Sequence, residues 1–125
     1  MSKKSTRQIG NEGEELAAAY LESKGYIILE RNYHFEHAEV DIVAYNQETH
    51  IVFVEVKKRS SNRYGEPEEY IDDEKIQNVY KAAEAWLYER KMEGAPVRFD
   101  VISIIQQDNE APEIKHFKNA FVPGR

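Results

Sequence analysis

Residues 51–59 read IVFVEVKKR, and they decide the fold. Ile51 to Val54 have the β-branched and aromatic make-up of a buried strand, yet the run continues into Glu55 and Lys57 where apolar residues are expected. Strand side chains alternate between faces, so Phe53, Glu55, Lys57 and Arg59 share one side while Val52, Val54, Val56 and Lys58 share the other. A carboxylate and an amine on so apolar an element are either a solvent-facing polar surface or the parts of a site.

Just upstream, EVDIVAY at 39–45 reads as a second, alternating strand, and NQETH as the turn between the two. Glu39, Asp41, Val43 and Tyr45 are expected to share a side. A hairpin centred on Glu48 places Asp41 opposite Glu55 and Glu39 opposite Lys57, a register that a one-residue slip would undo.

Working outward, YIILERNY at 26–33 is a further strand, preceded by a helix that starts at Ser5, where Ser5 and Gln8 fit a capping box, and stops at Gly25. Its apolar face carries Ile9, Gly13, Leu16, Ala17 and Tyr20. Gly10 and Gly13 inside it cost about 1 kcal/mol each relative to alanine. Close approach of a sheet or ligand explains them, and so does a helix starting late, at Asn11. A second helix runs from Asp73 to Lys91, capped by Asp72, with Ile76, Val79, Tyr80, Ala83, Trp86 and Leu87 as its stripe. Residues GAP at 94–96 break it, VRFDVISII at 97–105 is the fourth strand, and EIKHF with an AF tail closes the chain. The order α-β-β-β-α-β plus a short final strand implies an α/β fold, a mixed sheet flanked by helices, in one domain over 1–125.

The net charge of -6 argues against a phosphate-binding surface, but its distribution does not. EPEEYIDDE at 66–74 holds six acids and no base, which accounts for the whole imbalance. Lys3, Lys4 and Arg7 form one basic cluster, and Lys57, Lys58, Arg59 and Arg63 another. The chain has no cysteine, which excludes thiol nucleophiles and thiolate metal sites. It has no membrane-length apolar run and no signal-like start, so the expected compartment is the cytoplasm. The four histidines show no ligand spacing, there is no glycine-rich phosphate loop, and tyrosines such as Tyr64 are candidates for stacking on bases.

Two carboxylates about 5 Å apart across a strand pair repel by roughly 4 kcal/mol at an effective dielectric near 20. A divalent cation offsets that, since magnesium takes one or two carboxylates and completes its shell with waters and substrate phosphates. Asp41 and Glu55 are then the candidate metal ligands, with the Val56 carbonyl as an extra one, and Lys57 is placed to orient water or meet charge on a phosphoryl group. The competing reading is a polar surface with an ordinary Glu39–Lys57 ion pair.

An Asp, a short spacer and Glu55-Val56-Lys57 after a helix bearing a Glu resemble the PD-(D/E)xK nucleases. More specifically, GNEGEELAAAYLESKGYIILERNY, EVDIVA, IVFVEVKKR, Lys75, RFDVI and HFKNAF resemble the YraN-like family of uncharacterised bacterial proteins across nearly the whole chain. The resemblance implies a restriction-endonuclease-like core, similar to Holliday junction resolvases. With it come a Mg2+ or Mn2+ cofactor, a DNA substrate of branched or damaged structure, and a homodimer by analogy. By position it adds Glu14 to the metal ligands and gives Glu39, Lys58, Arg59 and Lys75 supporting or DNA-contacting roles. The chain departs at Ala38, where the family usually has glycine. A non-catalytic nucleic-acid- or partner-binding module on the same scaffold is the alternative function.

Overall fold

The computed structural model describes residues 6–59, 73–107 and 109–121, the side chains of 6–11 excepted. The elements are α1 (Thr6–Ser23), β1 (Ile27–Phe35), β2 (Ala38–Tyr45), β3 (Ile51–Arg59), α2 (Asp73–Glu89), β4 (Val97–Ile105) and β5 (Glu113–Phe117). The expected α/β order with a short final strand is what forms. The proposed caps Ser5 and Asp72, the basic residues Lys3, Lys4 and Arg63, Tyr64 and most of the acidic run lie outside the described residues, as does the side chain of Arg7.

The strands make one sheet in the order β1-β2-β3-β4-β5. β1, β2 and β3 run antiparallel, β3 and β4 parallel, and β4 and β5 antiparallel. A parallel neighbour needs a long crossover, and α2 lies within it. The β2–β3 register pairs Ile42 with Val54 and Tyr45 with Ile51, as a hairpin centred on Glu48 requires. Its turn is held by one side chain: Asn46 Oδ1 accepts hydrogen bonds from the amides of Glu48, Thr49 and His50 at 2.9–3.0 Å.

Each face of the sheet buries a separate core. On one side Val79, Ala82, Ala83 and Trp86 of α2 pack on Phe53, Val43 and Phe99. On the other Ala17, Ala18 and Leu21 of α1 pack on Ile42, Val52, Val54, Ile102 and Ile104. Large side chains such as Trp86 and Phe53 contribute about 1.5–3 kcal/mol each by burial. Gly13 explains itself here: a Cβ at that position would lie 3.3 Å from Lys58 Cβ, so α1 sits close on β3. The helix runs from Thr6 rather than starting at Asn11. Gly25, at φ +91°, ends it, with the Tyr26 amide bonded back to Leu21.

Two expectations need correction. The second helix stops at Glu89, before Lys91, because Lys91 adopts a left-handed φ of +56° and the Met92 amide closes on Leu87. More consequentially, the alternation of β2 breaks at Asp41. Ala38 and Val40 pack with Val43 on the α2 side, while Ile42 and Ala44 face α1. Glu39, Asp41, Val43 and Tyr45 therefore do not share one regular face. The partner strand shows why: Asn32, which lies between the paired positions Arg31–Ile42 and Tyr33–Val40, takes a left-handed φ of +53°. Arg31 reaches Glu15 on α1, whereas Tyr33 packs on the α2 side, so both strands change faces at this point.

Candidate functional site

The face change puts Asp41 where the two sides of the sheet meet. The β2–β3 ladder has its last rung at Ile42–Val54, and beyond it Asp41 Oδ2 accepts a 2.8 Å hydrogen bond from the Val56 amide. A side chain thus takes the amide that a further rung would have used. The N–H and C=O of one strand residue point to the same edge, so the Val56 carbonyl also faces β2. Burial pushes the Asp41 carboxyl up, against the lowering effects of the Val56 amide and Lys75.

Glu55 lies on the α2 side in line with Phe53 and is 1% exposed. Its Oε2 meets Lys75 Nζ at 3.1 Å, while its Oε1 is buried with no hydrogen-bond partner. Burial, then repulsion from Asp41, pushes its carboxyl up to about 7 despite Lys75 and Lys57. On the other side Glu14, from the first half of α1, is also buried with an unpartnered Oε1. Burial and the Asp41 charge raise it, and Arg31 and the Asn32 side chain moderate the rise. Asp41 is therefore coupled to an acid on each face.

The lysines divide differently from the expectation. Lys75, in the first turn of α2, reaches Glu55 and also lies 3.8 Å from Glu39. Burial works to lower its ammonium, but Glu55, Asp41 and Glu39 outweigh that and raise it. Lys57 is within electrostatic reach of Asp41 and Glu55 but is not the partner of Glu39, whose contacts are His34 and Lys75. Lys58 faces α1 and pairs with Glu12 at 3.3 Å, and Arg59 ends β3. Glu14, Asp41, Glu55, Lys57, Glu39 and Lys75 are thus one neighbourhood, while Lys58 points to the opposite side.

The candidate ligands, the carboxylates of Glu14, Asp41 and Glu55 and the Val56 carbonyl, are oxygen donors, which suit a hard cation such as Mg2+ or Mn2+. The two orphaned carboxylate oxygens fit the same group, since each leaves an unmet acceptor inside the fold. Among the described residues, however, no three acidic or imidazole side chains are gathered tightly enough to hold an ion. Asp41 is drawn to the Val56 amide and Glu55 to Lys75.

A further buried carboxylate escaped sequence reasoning. Asp100 on β4 is wholly buried and receives Arg98 Nε and Nη2 at 2.9 Å, the Asn119 amide at 2.9 Å and His116 Nε2 at 2.7 Å. Arg98 also donates to the Tyr26 hydroxyl, and His116 Nδ1 lies 3.3 Å from the Tyr20 hydroxyl. Burial alone would raise Asp100, but His116, Arg98 and the Asn119 amide hold it below the usual carboxylate range. The available signal was an Asp inside an otherwise apolar strand, with Arg98 two residues away on the same face.

A helix–sheet–helix protein with an acidic cluster at the open end of its central hairpin is the class that fold and site define. The chain belongs to UPF0102, described as an uncharacterised protein family, whose model matches residues 13–104. A UPF0102 protein of Syntrophomonas wolfei is 47% identical over 115 residues, covering 92% of this chain and 98% of the relative. Those of Persephonella marina and Geotalea uraniireducens are 46% and 43% identical, over 90% and 92% of this chain and 91% and 90% of theirs.

Proposed function

We propose that this protein is a metal-dependent phosphodiesterase acting on DNA, an endonuclease with the active-site layout of the PD-(D/E)xK enzymes. The observation that carries the reading is a cluster of acids, Glu55 fully buried and Glu14 nearly so, each with an oxygen unpartnered, around Asp41. A fold keeps buried carboxylates unmet at a cost of about 1–3 kcal/mol per group, and a ligand offsets that cost. Asp41, Glu55, the Val56 carbonyl and Glu14 would hold Mg2+ or Mn2+, which when bound supplies Lewis acidity toward a phosphoryl oxygen. Asp41 is fixed in direction by the Val56 amide, so its second oxygen is the one left to serve a ligand. Lys57, two residues beyond Glu55 on the same face, is the ammonium set to meet negative charge developing on the phosphate.

The test is incubation of the purified protein with Mg2+ or Mn2+ and duplex, single-stranded and four-way-junction DNA. Cleavage that Asp41→Ala lowers by about 100-fold or more, with thermal unfolding unimpaired, supports the reading; no cleavage of any substrate beside an active control nuclease overturns it. The Lys75–Glu55 pair favours a second reading, a non-catalytic binding module on the same scaffold, because a salt-bridged Glu55 needs no ion. That reading predicts DNA affinity falling with salt and indifferent to metal.

A further inference from the structure

Lys75 occupies an unusual place for a cation. It sits in the first turn of α2, behind Asp73 and Glu74, where the partial positive charge of the helix N-terminus disfavours an ammonium. What holds it there is the acidic cluster: Glu55 Oε2 at 3.1 Å and Glu39 Oε1 at 3.8 Å. The Lys75 side chain is 29% exposed while Glu55 is 1% exposed, so the lysine has a route to solvent and the carboxylate has none. The contact is also incomplete, because Glu55 Oε1 remains buried and unpartnered. A flexible four-carbon arm carrying a compact charge suits such an exchangeable role, unlike a guanidinium locked into two parallel hydrogen bonds.

We propose that Lys75 is the resident counter-ion of the acidic cluster, holding Glu55 in place of a divalent cation and leaving when that cation binds. The inference rests on the metal-site reading given above and deepens it, since it names the group that regulates loading. An ammonium 3.1 Å from Glu55 Oε2 repels a divalent cation arriving at the unpartnered Oε1 of the same carboxylate, so ion binding and the Lys75–Glu55 pair oppose each other. Breaking it frees an ammonium beside Glu39 at the mouth of the site. A lone metal ion is therefore held weakly by the wild-type chain. A polyanion that attracts the released Lys75 tightens metal binding, and by linkage the metal tightens the polyanion equally.

The test is calorimetric titration of Mn2+ into the full chain and into Lys75→Met and Lys75→Arg. Lys75→Met, which removes the competing charge and retains the stem, should bind Mn2+ about tenfold more tightly than wild type, within the usual range of coupling between sites. Lys75→Arg, which keeps a cation in place, should bind no better than wild type and shows that the gain comes from lost charge; if the methionine variant fails to fold, the wild-type readout that follows decides, and an unmoved Lys75 resonance overturns the proposal. A second readout is the side-chain resonance of Lys75 in the wild-type chain, which should move to the position of a solvated lysine on saturation with Mg2+. Equal Mn2+ affinity in all three proteins, or weaker binding by Lys75→Met, overturns the role of Lys75 while leaving the metal site standing. Failure of all three to bind Mn2+ at millimolar concentration overturns the metal reading and this inference together.

Discussion

Asp100 and Glu55 are both acids inside the same sheet, on neighbouring strands, yet their surroundings are opposite. Asp100 receives four hydrogen bonds from Arg98, His116 and the Asn119 amide and is held below the usual carboxylate range. Glu55 has one lysine, a buried oxygen with no partner and a second acid in its field, and is pushed up to about 7. A buried charge whose every lone pair is used is held in place by its neighbours. One that is left short retains capacity for a ligand. The difference separates a group that fastens the fold from a group kept available for chemistry.

The comparison breaks most visibly at Asp100. Replacing it with asparagine leaves Arg98 and His116 without their carboxylate, and removing one member of a buried ion pair costs about 3–5 kcal/mol. Urea unfolding of Asp100→Asn at neutral pH should show that loss. Because the folded-state pKa of Asp100 is depressed, its contribution is present above the unfolded value near 3.8 and fades only as pH falls through the still lower folded value. The variant and wild type should thus differ fully at pH 6 and converge in strong acid.

Glu55→Gln should move stability the other way. A raised folded-state pKa favours the native chain below the ordinary value of 4.5 and loses that advantage as pH rises through about 7. Above pH 7 the wild type carries the cost of a buried charge and glutamine does not. The variant should be about 1–3 kcal/mol more stable at pH 8 and indistinguishable at pH 4, as read by thermal unfolding without added metal. Stability lost at pH 8 would place Glu55 with Asp100 as a fastening group. The smallest effect belongs to Tyr20→Phe, which removes only the hydroxyl beside His116 Nδ1 and should cost about 1 kcal/mol in the same assay.

Sequence patterning reached the fold because its local rules hold over most of the chain. β3, β4 and β5 occupy the segments read as strands, IVFVEVKKR, VRFDVISII and EIKHF, and the hairpin register follows from the turn that Asn46 closes. The acids Glu14, Asp41 and Glu55 stand out as charges on buried elements, and the resemblance supplied Glu14. What stayed hidden was non-local. The face change at Asp41 depends on the left-handed backbone of Asn32 in the adjacent strand, which the alternation rule cannot anticipate. The Lys75–Glu55 pair joins a strand to a helix twenty positions further along, and the Asp100 network draws on α1, the residue before β1, β4, β5 and the residues after it. Periodicity within one element carries no information about such meetings.

A β-sheet ordinarily acts as an electrical and mechanical partition, with the helix on one face insulated from events on the other. The reversal at Asp41 opens a window in that partition. Through it Glu14, whose placement is set by how closely Gly13 lets α1 sit on β3, shares the field of Asp41 and of Glu39, the latter in contact with Lys75 of α2. The seating of the first helix is in this sense a tuning screw for the opposite side of the molecule.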